Sequence, residues 1–167
     1  MPKLTNTGEL QADGWQVVSK EVSPALADLS SGQWLVHVKW YMENQEELIN
    51  RDNIGVWLDS DDEAESVSSV VSQLPVMGVN FPVFTDGRGF SIGRTIRERY
   101  KFTGELRAIG NFMQDQLFYL KRCGFDAFIV GDDIDATSMS NSLTDFSDAY
   151  QASVDQPVPL FRRRLAQ

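Results

Sequence analysis

From Asn53 onward, short apolar runs alternate with longer segments whose apolar positions recur every three or four residues. Ile54-Gly55-Val56-Trp57-Leu58 reads as a buried strand. Ser60 with Glu63 three residues on forms a capping box, and Asp61 and Asp62 suit the positive end of a helix dipole. Ala64, Val67, Val70, Val71 and Leu74 then form an amphipathic stripe, so the pattern predicts a helix ending at Pro75. A second unit opens at Val79, with a strand over Asn80–Phe84 that carries Pro82 near its start, a loop over Thr85–Gly89, and a helix over Ser91–Tyr100 that turns Ile92 and Ile96 inward. The third has a strand over Glu105–Ile109 and a helix over Phe112–Cys123, with Asn111 as N-cap and Gly124 just past the end. A fourth strand spans Phe125–Val130, and a further helix is expected around Ser142–Tyr150.

The first third is less regular. Gly14–Val18 suggests a short strand within a hairpin, Trp34–Val38 a strand or a helix start, and Met42–Asn50 a helix with Leu48 and Ile49 inward. The expected organisation is an N-terminal segment (1–52) packed on an α/β core (53–156), then a tail (157–167). Repeated βα units imply a mainly parallel sheet with right-handed crossovers. Two closures fit: an open doubly wound sheet, or a partial (β/α) barrel completed or covered by a second subunit. In both, the functional end is the carboxyl edge of the strands, here Asp59-Ser60, Thr85–Phe90, Gly110-Asn111 and Gly131-Asp132.

Composition narrows the function. At 167 residues and 42% hydrophobic the chain suits one domain with a real core. Its apolar runs are too short to span a bilayer, and Met1–Asn6 lacks a signal-like apolar stretch, so a cytoplasmic protein without membrane contact is expected. A single cysteine, Cys123, and a single histidine, His37, allow no internal disulfide and no multi-cysteine metal site, and no metal is expected. The net charge of -9 disfavours nucleic acid. It is uneven: Phe81–Val130 holds eight Lys/Arg against five Asp/Glu, whereas Gly131–Pro157 holds six aspartates and no Lys or Arg.

The densest candidate chemistry lies in that basic stretch. In Thr85–Arg94, Asp86, Gly87, Arg88, Gly89 and Ser91 join a strand end to a helix start. Glycine amides, the helix terminus and arginine charge there suit a small anion such as sulfite, sulfate or phosphate. The bland alternative is a tight turn in which Asp86 or Ser91 caps the helix. The spacing matches neither the dinucleotide fingerprint nor the P-loop. Arg94, Arg97 and Lys101 share a helix face, read either as a docking ridge or as a solvated face with an Arg94–Glu98 pair. Arg107 sits inside a strand and needs an acid, Asp86 or Asp115 being the candidates. Gln116, Tyr119 and Arg122 are further docking candidates, Cys123 reads as a small buried hydrophobe, and His37 shows no partner.

The block Phe81-Pro82-Val83-Phe84-Thr85-Asp86-Gly87-Arg88-Gly89-Phe90-Ser91, with Arg97-Glu98-Arg99-Tyr100, Gly104–Gly110 and Asp115–Phe128, resembles the bacterial domain-of-unknown-function family 934. The likeness continues through Asp145-Phe146-Ser147 and Tyr150-Gln151 to Pro159–Arg163. Members are commonly labelled probable oxidoreductases involved in sulfite reduction. Sulfite reduction to sulfide takes six electrons and a sirohaem–iron–sulfur catalyst, and one cysteine does not ligate such a cluster. The resemblance therefore implies an accessory protein that docks on the sulfite reductase haemoprotein or assists electron or sulfite delivery. Sirohaem and the iron–sulfur cluster would then be the partner's. The alternatives are an anion- or metabolite-binding enzyme built on Asp86, Arg88, Arg107 and Asp115, and a flavin-dependent oxidoreductase. A homodimer would cover exposed strand edges.

Overall fold

The computed structural model describes residues 2–48, 50–132 and 134–165. Strands β1 (Lys3–Thr5), β2 (Leu10–Gln11), β3 (Trp15–Val17), β4 (Gln33–His37), β5 (Ile54–Leu58), β6 (Val76–Phe81), β7 (Glu105–Gly110) and β8 (Ala127–Ile129) form one sheet in the order β2-β1-β8-β7-β6-β5-β4-β3. β3 through β8 are parallel neighbours in chain order. β1 joins β8 antiparallel, and β2 joins β1 antiparallel. The strand order never reverses between β3 and β8, so right-handed crossovers carry their helices to one side of the sheet. Of the two expected closures the doubly wound sheet needs such a reversal; this sheet curls into a half-barrel.

Period-two alternation divides the side chains between its faces. The outer set, Ile54, Val56, Leu58, Met77, Val79, Phe81, Leu106, Ala108 and Phe128, joins one large core with Tyr41, Ile92, Ile96, Leu117 and Leu120 from the helices. Those helices are α1 (Val38–Glu43), α3 (Arg88–Glu98) and α4 (Leu117–Arg122); α2 (Gln45–Leu48), α5 (Ala136–Ser142) and α6 (Leu160–Leu165) complete the set. The inner face is a smaller cluster of Leu35, Trp57, Val76 and Ile109, flanked by Trp15 and Ile129. No helix among the described residues is long and apolar enough to cross a membrane.

Glycines on α3 set its approach to the sheet. A Cβ on Gly89 would lie 2.6 Å from the Phe81 ring, and one on Gly93 would lie 2.5 Å from the Phe125 ring. Gly93→Ala gains about 1 kcal/mol in helix propensity, but overpacking costs about 1–3 kcal/mol. We expect net destabilisation, read as a lower urea midpoint. Gly87 is different: it precedes α3 with φ −81° and has open space where a Cβ would go. Gly87→Ala should therefore be neutral, or stabilising by up to about 1 kcal/mol.

The elements depart from the sequence expectations in several places. The predicted helix after Ser60 is a pair of 3₁₀ turns, Ala64–Val67 and Val71–Gln73, without the capping box. Its stripe (Ala64, Val67, Val70, Val71, Leu74) is buried as expected. The segment is rich in β-branched residues and serines, which are poor α-helix formers, and Ser66 Oγ bonds back to the Glu63 carbonyl. The strand expected over Asn80–Phe84 is β6, which starts directly after Pro75 and ends before Pro82. The helix expected over Ser91–Tyr100 starts three residues earlier, at Arg88. The helix expected from Phe112 begins with a 3₁₀ turn, Gln114–Gln116, and is α-helical only from Leu117. Asn111 is not its cap; its side-chain amide donates to the Pro82 carbonyl at 2.9 Å. The helix expected around Ser142–Tyr150 is α5, which ends where that was to begin. Met42–Asn50 holds the end of α1 and then α2; Leu48 is buried and Ile49 lies outside the described residues. The N-terminal hairpin is β1–β2, while the strand read at Gly14–Val18 is β3, parallel to β4.

Candidate functional site

The inner face is layered along the strands. Its amino end is an ion network. Arg107, 1% exposed, donates from Nη1 to both Asp13 oxygens at 2.8 and 2.7 Å and from Nε to Glu105, which also receives Lys3 Nζ at 2.7 Å. Two cations thus face two anions, and the Trp15 ring lies 5.5 Å from the guanidinium. Asp86 and Asp115, the partners expected for Arg107, play no part. Arg107 follows Glu105 by two residues in β7 and therefore shares its face, far from the β6–α3 loop that holds Asp86. The middle layer is the apolar cluster around Trp57.

The carboxyl end carries the second polar layer. Asp59 directly follows β5, and Asn80 stands next to it in register, since Leu58 pairs with Val79. Asp59 Oδ1 accepts from the Asn80 amide at 2.9 Å and from the Ser60 N–H at 2.9 Å, while Oδ2 pairs with Lys20 from the segment after β3. Burial alone would raise the Asp59 pKa; the hydrogen bonds from Lys20, Asn80 and Ser60 outweigh it and hold the carboxyl below the usual range. Its charge thus stabilises the fold above the unfolded value of 3.8, and that contribution fades as pH falls through the lower folded value. Asp59→Asn should flatten the acid limb of the stability–pH curve, which acid titration followed by circular dichroism reads.

His37 closes β4 beside this group. Its Nε2 lies 2.8 Å from Asp62 Oδ2, which also accepts the Asp59 N–H at 2.9 Å, and its ring meets Trp57 edge-on at 4.7 Å. His37 has no partner visible in the sequence; Asp62 is that partner, brought there by the turn after β5, in which the Asp62 N–H donates to the Asp59 carbonyl at 3.1 Å. Lys20, Glu21, Trp57, Asp59, Asn80 and Ile109 are among the residues that line a cleft of about 370 Å³. Alternation along β5 and β6 placed Asp59 with Trp57, and Asn80 with Gly78, and was the available signal for this grouping. Lys20, in an irregular polar stretch, had none.

The proposed anion ligands scatter. Arg88 is tied to Asp86, with Nε–Oδ1 at 3.0 Å and Nη2–Oδ2 at 2.7 Å, and Nη2 also reaches Ser60 Oγ at 3.1 Å. The hydrogen bond from Arg88, with help from Ser60, holds the Asp86 carboxyl far below the usual carboxylate range. Asp86 accepts the Arg88 N–H at 3.1 Å and so supports the helix start, as the bland reading held. Gly89 is buried within α3 against Phe81, Ser91 gives its carbonyl to Thr95, and Asp115 is exposed on the 3₁₀ turn before α4. Asp86, Gly87 and Arg88 thus meet where the β6–α3 loop enters α3, while Arg107 lies at the other end of the sheet.

Among the docking candidates, Arg97 does not belong to an exposed ridge. It turns inward and donates to the carbonyls of Gly124 (2.8 Å), Phe102 (2.6 Å) and Gly104 (2.9 Å), and pairs with Asp126. Arg122 is also buried, bound to Asp155 at 3.1 Å and to the Gln151 carbonyl. Gln116 ties the Phe84 carbonyl to the Met113 N–H. Arg94 pairs with Glu98 at 3.0 Å and, like Lys101, is exposed. Tyr119 is 57% exposed beside Phe146 (57%) and Tyr150 (68%). With Arg94, Phe118 and Cys123 they line a groove of about 400 Å³ between α3, α4 and the C-terminal segment. Burial pushes the Cys123 thiol pKa up, against the pull of Arg94 and Arg122, in keeping with a packing role.

Residues 55–161 match the family model described as "Bacterial protein of unknown function (DUF934)". No curated protein matches the chain.

Proposed function

The chain belongs to the DUF934 family, and on that premise we propose that it is an accessory protein of assimilatory sulfite reduction that docks on the sulfite reductase haemoprotein. The observation that supports docking is the aromatic groove. Tyr119, Phe146 and Tyr150 stand exposed around the Phe118 ring, 5.0 Å from Phe146, with Arg94 at the rim. Large aromatics and arginine dominate the energetic centres of protein interfaces. One wall of the groove comes from the stretch where basic residues outnumber acidic ones eight to five and the other from the aspartate-rich segment, so an apolar aromatic centre is set among charges of both signs, Arg94 and Arg122 against Asp148, and the partner surface is apolar at its centre with mixed charge around it. The sirohaem and the iron–sulfur cluster belong to that partner; this chain's one cysteine does not supply the thiolates such a cluster requires.

The test is binding of the purified chain to the haemoprotein of the same organism at low and moderate salt. Saturable binding that weakens with salt is expected. Tyr119→Ala with Phe146→Ala should weaken it at least about tenfold, as loss of interface anchors does, whereas Asp115→Ala should leave it unchanged. No binding at micromolar concentrations would sink the proposal.

A further inference from the structure

The chain between β3 and β4 crosses the carboxyl end of the sheet, and its hold there is uneven. Before the crossing, the Val18 N–H donates to the Leu35 carbonyl at 2.9 Å, and the Val18 carbonyl accepts the Trp57 indole N–H at 2.9 Å. After it, Arg51 donates to the Leu26 carbonyl at 3.4 Å, Asn53 donates to the Leu29 carbonyl at 3.0 Å, and Leu29 is buried. Between these anchors, residues 19–23 are all exposed and belong to no helix or strand. Their own bonds are local: the Val22 N–H meets the Ser19 carbonyl at 3.1 Å, and Ser19 Oγ donates to Glu21. Their one large apolar side chain, Val22, is 53% exposed, so little apolar burial holds them down. Among the described residues, a single polar contact ties this stretch to the rest of the fold: Lys20 on Asp59.

The two halves of that contact differ. Asp59 is fixed, with a side chain 9% exposed and Oδ1 held by the Asn80 amide and the Ser60 N–H. Lys20 is 40% exposed on a long flexible stem. It also divides the space beneath. On one side is the cleft floored by Trp57 and Ile109, which Glu21 and Asp59 both line. On the other, a cleft of about 310 Å³ lined by Val22, Ser23, Trp40 and Glu43 reaches His37. Lys20 lines both. When Lys20 leaves Asp59, two carboxylates face one cleft without a cation between them, and their repulsion drives the stretch outward. No backbone bond to the sheet has to break, so one ion pair governs the opening.

We propose that residues 19–23 are a lid over the carboxyl ends of β4 and β5, hinged at Val18 and Leu26 and latched by Lys20 on Asp59. Opening joins the two clefts and brings His37, Asp59 and Asn80 to solvent, at the end of the strands where α/β barrels carry their sites. The lid is separate from the aromatic groove and does not depend on the docking proposal.

His37 is the chain's one histidine, so diethylpyrocarbonate modification read by mass spectrometry reports the opening at one imidazole. Lys20→Met should speed that modification about fivefold, the scale of one partly exposed ion pair. Cleavage after Glu21 by a glutamate-specific protease should quicken with it. Because Lys20→Met leaves the Asp59 charge buried alone, Lys20→Met with Asp59→Asn is the second variant; it removes latch and charge together and should also speed His37 modification. Lys20→Arg keeps an ion pair and should stay close to the unmodified sequence. Amide exchange in β5 and β6 should be the same in all of these proteins, which separates a moving lid from a loosened sheet. Unchanged His37 modification in both latch-free variants would overturn the proposal, as would a rise matched by faster exchange in β5 and β6.

Discussion

Arg107→Ala is expected to destabilise the fold by about 3–5 kcal/mol, the range for breaking a buried ion pair from one side. Against a typical total of about 5–15 kcal/mol, that leaves a large unfolded fraction. The reason is the burial of what remains: the Asp13 side chain is 6% exposed, and its two charge-assisted hydrogen bonds would vanish with no route to water. Removing both charges, by Arg107→Met with Asp13→Asn, should restore part of the loss. Urea unfolding of the three proteins gives the measurement. A loss below about 1 kcal/mol for Arg107→Ala would mean that water reaches the amino end of the half-barrel, because such small values mark solvated pairs.

Arg97→Ala should cost about 2–4 kcal/mol, through several hydrogen bonds lost at once, three of them to backbone carbonyls. The guanidinium bridges the start of β7 to the turn after α4, and its planar fork lies 5.1 Å from the Phe102 ring. Arg97→Lys should rescue little, since one ammonium does not span carbonyls on separate segments. Arg94→Ala, on the same helix but exposed, should stay within about 0.5 kcal/mol. Equal effects at the two positions in thermal unfolding would contradict the inward geometry of Arg97.

Arg97 also marks where sequence reasoning stopped. Its spacing from Arg94 correctly placed both on one helix, but not which way Arg97 turns, and Lys101, expected on the same face, lies past the end of α3 with φ +55°. Its acceptors are carbonyls, which leave no trace in the identity of the residues that carry them. Patterns set by local backbone physics were legible. Ile54–Leu58 is a strand, Glu105–Ile109 falls within one, and Gly124 ends α4 with φ +94°, where the Phe125 N–H reaches the Leu120 carbonyl at 3.2 Å. The stripe from Ala64 to Leu74 was right about burial and wrong about the helix, because serine and valine there allow tight turns that satisfy the same apolar positions. The site was only half legible. Asp59 stood on the expected strand edge, but Asp13 and Lys20 come from the least regular stretch, and Asp13 meets Arg107 across 94 positions of chain.

That separation bears on the order in which the molecule can be made. β1 pairs with β8, Lys3 opposite Ile129, and Lys3 also bonds Glu105. During synthesis β1 has only β2 to pair with, and its other edge must wait for β8 while more than a hundred residues follow. Arg107 in turn emerges into a sheet whose amino end stays open until Asp13 settles beneath it. The residues that seal this end are therefore translated well before their partners and are among the last to dock, as expected of contacts this distant in sequence. Until they do, the nascent half-barrel exposes both a charged lining and an unpaired strand edge, which makes this interval the period when a chaperone would matter most.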